Sequence, residues 1–129
     1  MKQIRFSKQR KAIYEALKTS DSHPTAELLY QQLKEEYPEL SLGTVYRNLH
    51  FFVNENQAVR IDVGDQVEHY DAVVMPHYHL YCKSCNALID IHEEDYNYDL
   101  EKRVAKKTGY DIDSHSTIFY GLCHKCKIN

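Results

Sequence analysis

The chain has 129 residues, 43% of them hydrophobic, and a formal net charge of −3. That length suits one domain or two small ones. No stretch is long and apolar enough for a membrane helix, and the basic N-terminus lacks the apolar core of a signal peptide. The expected location is the cytoplasm, where thiols stay reduced, so four cysteines point to metal before disulfide. The net charge argues against a nucleic-acid partner; its distribution does not. Residues 1–20 carry six Lys/Arg (Lys2, Arg5, Lys8, Arg10, Lys11, Lys18) against Glu15 alone, whereas residues 61–129 carry seven against twelve acids. Local sign decides how a surface meets phosphates, which makes Lys8 and Arg10 candidate DNA contacts.

In chain order, Ser7 is placed to cap a helix over 8–18, with Ala12, Ile13, Ala16 and Leu17 on one face. A turn follows at 19–24, where Pro24 restricts His23 to extended conformations. Thr25 caps a second helix over 26–37, with Ala26, Leu29, Tyr30, Leu33 and Tyr37 at helical spacing. Pro38 ends it. Ser41 caps a third over 43–54, which buries Val45, Leu49 and Phe52 and leaves Thr44, Tyr46, Arg47 and Asn48 outward. The period then changes to two. Strands are expected at 58–63 and 66–70, joined by Gly64-Asp65 as a two-residue type II′ turn. Three helices and a hairpin in that order suggest a winged helix-turn-helix, with the third helix in the major groove. Thr44, Tyr46, Arg47 and Asn48 are the candidate readers: arginine bonds guanine bidentately, and a tyrosine ring packs on a thymine methyl. After a hinge near 71–76 the pattern is β-β-α-β: strands near 77–81 and 87–92, a helix over 94–107 with Leu100, Val104 and Tyr96 inward, Gly109 as its stop, and a strand near 110–120. The second half is too small to bury much core alone, and needs a metal, a partner subunit or both. The fold class is α+β, with 1–71 as the first domain, 72–76 as hinge and 77–129 as the second.

Two ligand types crowd the second half. Cys82-x-x-Cys85 and Cys123-x-x-Cys126 use every cysteine and suit one tetrahedral zinc. Local disulfides do not suit the cytosol, a thioredoxin-like pair lacks its βαβ context, and a rubredoxin-like iron is the remaining rival. Close by, His77 and His79 share one face of a strand, and Asp90 is expected on the strand beside them. Asp71 lies near in sequence, and His23 is a further candidate from the first inter-helix turn. Three imidazoles and two carboxylates suit divalent iron or manganese better than a structural zinc. His69, His92, His115 and His124 are spare candidates that spacing does not rank. An open iron site also admits a small metalloenzyme, but the chain has no glycine-rich loop and no nucleophile–base pair, and a non-enzyme is expected.

The segments His23-Pro24-Thr25-Ala26-Glu27-Leu28, Gly43-Thr44-Val45-Tyr46-Arg47-Asn48-Leu49, His77 through Cys85, and Tyr120-Gly121-Leu122-Cys123-His124-Lys125-Cys126 together resemble the ferric uptake regulator family of bacterial metal-responsive repressors. The resemblance spans nearly the whole chain. It implies a homodimer, an N-terminal winged helix, a C-terminal dimerisation domain, a four-cysteine Zn(2+) and a regulatory Fe(2+) or Mn(2+) at the hinge. The implied partner is double-stranded DNA carrying an AT-rich inverted repeat. Aspartates at Asp71 and Asp90 resemble the peroxide-sensing branch, in which the five ligands match His23, Asp71, His77, His79 and Asp90. In that branch iron and peroxide hydroxylate a ligand histidine, here His23 or His77. Arg47 departs toward the iron-uptake branch, which responds to iron without sensing peroxide. A third metal site of some members looks degraded: Tyr78 and Asn97 stand where acids are expected, although His115 remains.

Overall fold

The computed structural model describes residues 2–20 and 23–128, with side chains from Ser7 onward. Asp21 and Ser22 of the expected turn lie outside the described residues, as do the side chains of Lys2 and Arg5. The chain divides into two units, 1–74 and 75–129.

In the first unit, helix α1 covers Lys2–Thr19, α2 Ala26–Leu33 and α3 Leu42–Asn54. Helix α1 begins before Ser7, so Ser7 is not its cap. Residues 2–6 hold no glycine or proline to stop the helix there. Gln9, Ile13 and Leu17 recur every four residues and form its buried stripe. Helix α2 stops at Leu33, four residues short of the expected end, and turns carry the chain to Tyr37. The expected caps are present. Thr25 accepts from the Leu28 N–H at 3.2 Å and Ser41 from the Thr44 N–H at 3.1 Å. Leu29, Leu33, Val45, Leu49 and Phe52 close the core against Ile13 and Leu17.

Strands β1 (Val59–Ile61) and β2 (His69–Asp71) pair antiparallel, with Ile61 opposite His69. The connection is therefore 62–68, and the expected two-residue turn at Gly64-Asp65 is replaced by a longer loop. Two aspartates build it by bonding backbone N–H groups two residues on: Asp62 takes Gly64 at 2.9 Å and Asp65 takes Val67 at 3.1 Å. Gly64 (φ 87°) and Gln66 (φ 64°) supply the left-handed steps. Tyr70, fully buried in β2, donates its N–H to the Pro24 carbonyl at 3.2 Å.

The second unit holds β3 (Tyr78–Cys82), β4 (Leu88–Ile91), α4 (Tyr98–Thr108) and β5 (Ile118–Gly121). Strand β3 is central, antiparallel to β4 and parallel to β5. A parallel neighbour needs a crossover, and α4 supplies it. Asp99 and Glu101 in the first turn of α4 and Lys106 and Lys107 in its last complement the helix dipole. Gly109 ends it at φ 78°. The last strand is shorter than expected, because 109–117 form no regular structure. The expected helix over 94–107 begins only at Tyr98, Tyr96 before it is half-buried against His115, and the expectation that Leu100 and Val104 face inward needs correcting. No residue of α4 is buried, and Val104 is well exposed. A three-stranded sheet offers too little area to cover an eleven-residue helix.

Leu49 is fully buried at the centre of the first unit's core. Leu49→Ala is expected to lower stability by about 2–5 kcal/mol in urea unfolding, through lost transfer energy and the cavity left behind.

Candidate metal centres and nucleic-acid face

The four thiols belong to the second unit. Cys82 ends β3, the tight turn 83–87 brings Cys85 back, and Cys123 and Cys126 follow β5, whose parallel register sets Gly121 beside Cys82. All four sulfurs lie within 4.8 Å of one another, and none is in a disulfide. Zn–S bonds of about 2.3 Å in a tetrahedron hold sulfurs roughly 3.8 Å apart; the Cys85 and Cys123 sulfurs are 3.8 Å apart. The N–H groups of Cys85 and Cys123 aim at the Cys82 sulfur and bring its thiol down to about 6. Backbone N–H of Cys126 likewise lowers Cys123. The Ser84 hydroxyl lowers Cys126, but its neighbouring thiols outweigh that and raise it to about 11. Thiolates favoured at two positions, with a proton held at another, suit a cation that displaces the remaining protons.

Three of the expected nitrogen and oxygen ligands also meet in this unit. The β3–β4 register sets His79 directly opposite Asp90. His77 Nε2 lies 2.8 Å and His79 Nε2 3.2 Å from Asp90 Oδ1, and the two imidazoles are 4.4 Å apart. His77 Nδ1 donates to the Met75 carbonyl at 2.8 Å. In the neutral ring the lone pair is then on Nε2, toward Asp90. Ligands at right angles on bonds of about 2.1 Å sit roughly 3.0 Å apart, so this spacing fits a divalent cation. His92, exposed, stacks on His77 at 5.7 Å with Nε2 3.8 Å from Asp90 Oδ2.

The first unit brings His23 and Asp71 together. Both are buried, with His23 Nδ1 3.4 Å from Asp71 Oδ2. Asp71 Oδ1 accepts from the Val73 N–H at 2.9 Å. Of the spare histidines, His69 directs Nε2 at Asp65 (2.8 Å) and Nδ1 at the His23 carbonyl (3.3 Å), which leaves it no nitrogen for a metal. His115 donates from Nδ1 to Glu101 at 3.0 Å and stacks on Tyr96. The Tyr96 hydroxyl joins the same carboxylate and accepts from the His115 N–H at 3.0 Å. Tyr78 accepts from the Asn97 N–H at 2.9 Å. His124 is exposed.

The candidate DNA contacts divide into outward and inward residues. Lys8, Arg10 and Arg47 are exposed. Arg47 donates to Thr44 Oγ1 at 3.0 Å, which steadies its guanidinium against its own helix. Tyr46 donates to Glu27 Oε1 at 2.6 Å across the α2–α3 pair. That bond pushes the Tyr46 hydroxyl up to about 12 and lowers the Glu27 carboxyl. Asn48, expected to face outward, is buried. Its amide donates to the Thr44 carbonyl at 2.9 Å and accepts from Arg10 Nε at 2.6 Å, while the Arg10 guanidinium lies 3.8 Å over the Phe51 ring. Sequence reasoning missed Glu27 as the partner of Tyr46, because no spacing rule links residues on different helices.

A three-helix unit with a paired hairpin, followed by a small sheet stapled by four thiols beside a His/Asp cluster, describes a metal-binding protein with an exposed polar helix face. The ferric uptake regulator family model matches residues 1–120, and the chain belongs to that family. It is similar to the peroxide operon regulator of Bacillus subtilis (strain 168), with 34% identity over 123 residues, 95% of this chain and 84% of that protein. Among solved structures it is similar to the Campylobacter jejuni peroxide stress regulator, with 30% identity, a TM-score of 0.79 and coverage of 95% and 92%. A zinc-bound manganese uptake regulator is 27% identical, with a TM-score of 0.64 and coverage of 89% and 87%. Among the described residues no helix is long and apolar enough to cross a membrane.

Zinc binding in small sites contributes roughly 10–16 kcal/mol, comparable to the whole stability of a typical domain. Cys123→Ser is expected to lose zinc and the β-structure of 75–129, read by metal analysis and far-ultraviolet circular dichroism. A zinc-free protein with native secondary structure would refute this.

Proposed function

We propose that the chain is a metal-dependent DNA-binding transcriptional repressor that senses hydrogen peroxide through oxidation of a ligand histidine. It is a cytoplasmic, non-enzymatic homodimer acting on AT-rich inverted repeats. The observation that carries the reading is the His77–His79–Asp90 set, whose geometry fits a divalent cation, in a chain similar to peroxide-responsive regulators. Zn(2+) belongs to Cys82, Cys85, Cys123 and Cys126. The regulatory Fe(2+) or Mn(2+) takes His77, His79 and Asp90 together with His23 and Asp71. Two donors in one set and three in the other each fall short of the six that such ions favour, and both sets are His/Asp in character.

The first unit is read as a winged helix-turn-helix, with α3 in the major groove and the 62–68 loop on the flanking backbone. Arg47 reads a base edge, Thr44 steadies it, and Tyr46 presents its ring, since its hydroxyl is engaged by Glu27. Lys8 and Arg10 meet phosphates. Asn48 acts from inside by holding Arg10. The second unit dimerises. Its unburied α4, with Val104, Phe119 and Leu122 exposed, offers the apolar area that a second copy would cover.

Bound iron would supply the redox chemistry, by which peroxide would turn an imidazole C–H into C–OH with release of water. The residues of this chain decide where that oxygen lands. His77 is held by Met75 and Asp90, and His23 by Asp71 and the β2 strand. An iron-uptake repressor without peroxide sensing is the second reading, favoured by Arg47.

Anaerobic loading with Fe(II) or Mn(II), stoichiometric peroxide and peptide mass spectrometry separate the two readings. One added oxygen on His23 or His77, with iron only, is expected. No modification at verified iron occupancy would leave the iron-uptake reading. Separately, Arg47→Ala is expected to cost about 1–3 kcal/mol per half-site on a cognate repeat. Unchanged affinity and specificity in a mobility-shift titration would remove Arg47 from base readout.

A further inference from the structure

His23 adopts φ 50°, a left-handed conformation that residues with a side chain rarely take, immediately before Pro24. Such a conformation persists where the surroundings over-determine it. Here the determinants come from consecutive residues of β2. His69 donates from Nδ1 to the His23 carbonyl at 3.3 Å, the Tyr70 N–H donates to the Pro24 carbonyl at 3.2 Å, and Asp71 Oδ2 lies 3.4 Å from His23 Nδ1. His69 is itself fixed. Its Nε2 faces Asp65 Oδ2 at 2.8 Å, so each ring nitrogen is directed at an oxygen of a different segment. Asp65 in turn belongs to the 62–68 loop, where its other oxygen accepts from the Val67 N–H at 3.1 Å. The chain of bonds runs from the loop that joins the two strands, through one imidazole, to the backbone of His23.

We propose that Asp65 and His69 are positioning residues that hold the His23 backbone for a divalent cation and tie it to the β1–β2 loop. The proposal rests on the reading of His23 as a ligand of the regulatory metal. A ligand of that metal is then braced by the loop assigned to DNA, so that ordering either one orders the other. Burial alone does not account for the arrangement. A buried imidazole needs partners for its ring nitrogens, and here those partners are the loop carboxylate and the left-handed His23 backbone rather than its own strand.

The test uses the zinc-loaded full chain and the variants His69→Ala, His69→Arg, Asp65→Ala and His23→Ala. With the regulatory metal removed, His69→Ala is expected to speed hydrogen exchange at the Tyr70 amide, which bonds Pro24, while the Leu49 amide in the core keeps its protection. Mn(II) affinity, read by competition with a fluorescent chelator, is expected to fall about 10–100-fold in His69→Ala, as for other residues that orient a ligand. Asp65→Ala should weaken it less, and the double variant should be no worse than His69→Ala alone. His69→Arg, which also carries several N–H donors, should restore most of the affinity. If His69→Ala and Asp65→Ala leave Mn(II) affinity unchanged while His23→Ala abolishes it, the positioning role falls and the ligand reading stands. If His23→Ala leaves affinity unchanged, the ligand reading falls and the proposal with it. Equal loss of protection at Tyr70 and Leu49 in His69→Ala, with no rescue by arginine, would reduce His69 to a structural residue.

Discussion

The fold of residues 75–129 depends on four sulfurs gathered within 4.8 Å of one another. Among the described residues the buried apolar side chains of this unit are Tyr78, Cys82, Leu88 and Cys123, so half of them belong to the thiol cluster. The first unit closes around Ile13, Leu17, Leu29, Val45, Leu49, Phe52 and Tyr70 and has no such need. A core of four side chains does not offset the ordering entropy of more than fifty residues. What remains is the thiol cluster, to which β3, β4 and β5 are tied. The Cys82 N–H bonds Ala87 across the first knuckle, and the Lys83 N–H bonds the Gly121 carbonyl on the next strand. The β3–β4 register that brings Cys82 to its knuckle also sets His79 opposite Asp90. The staple and the His/Asp set are therefore parts of one strand pairing. A cation in the first stabilises the frame of the second.

Which features were legible in the sequence follows from the range of the interactions behind them. Thr25, Ser41 and Gly109 act within three or four residues, and each appears as read. The cysteine knuckles were legible because a metal's coordination geometry is encoded in spacing. The β1–β2 connection was misread because Gly64-Asp65 satisfies a turn rule, while the real loop is set by Asp62 and Asp65 bonding their own backbone. The burial of Asn48 was hidden because its partner Arg10 lies thirty-eight residues away on another helix. Helix α4 was read as inward on its periodicity. Periodicity identifies an apolar face but not what covers it, and in one copy of the chain nothing buries this one.

On the proposed reading of α3, a net-acidic protein would present its DNA face as follows. Glu27 on α2 is an acid beside α3, and its carboxylate is bonded to the Tyr46 hydroxyl. A hydroxyl so engaged has its proton committed, so what Tyr46 offers a partner is the ring. Glu68 takes Arg60 at 3.0 Å and lies 3.7 Å from His50, so its charge is partly met within the same unit. Arg47 carries no acidic partner and bonds only the Thr44 hydroxyl among the contacts described. The free charge on the face is therefore cationic even though the chain carries −3 overall.

On the proposed ligand set, the division of donors explains why metal acts as an effector rather than a fixture. A ligand shifts an equilibrium only by its differential affinity for the states involved. His77, His79 and Asp90 alone, or His23 and Asp71 alone, form an incomplete shell, so the ion favours whichever state presents all five. On that reading, DNA binding is coupled to metal by the difference between a two- or three-donor shell and a five-donor one. Loss of one imidazole to oxidation lowers that difference at once, without disturbing the thiols that keep the second unit folded. Two separate sites thus serve separate ends. On this reading the soft site would be invariant to the signal, and the hard site would be where it is read.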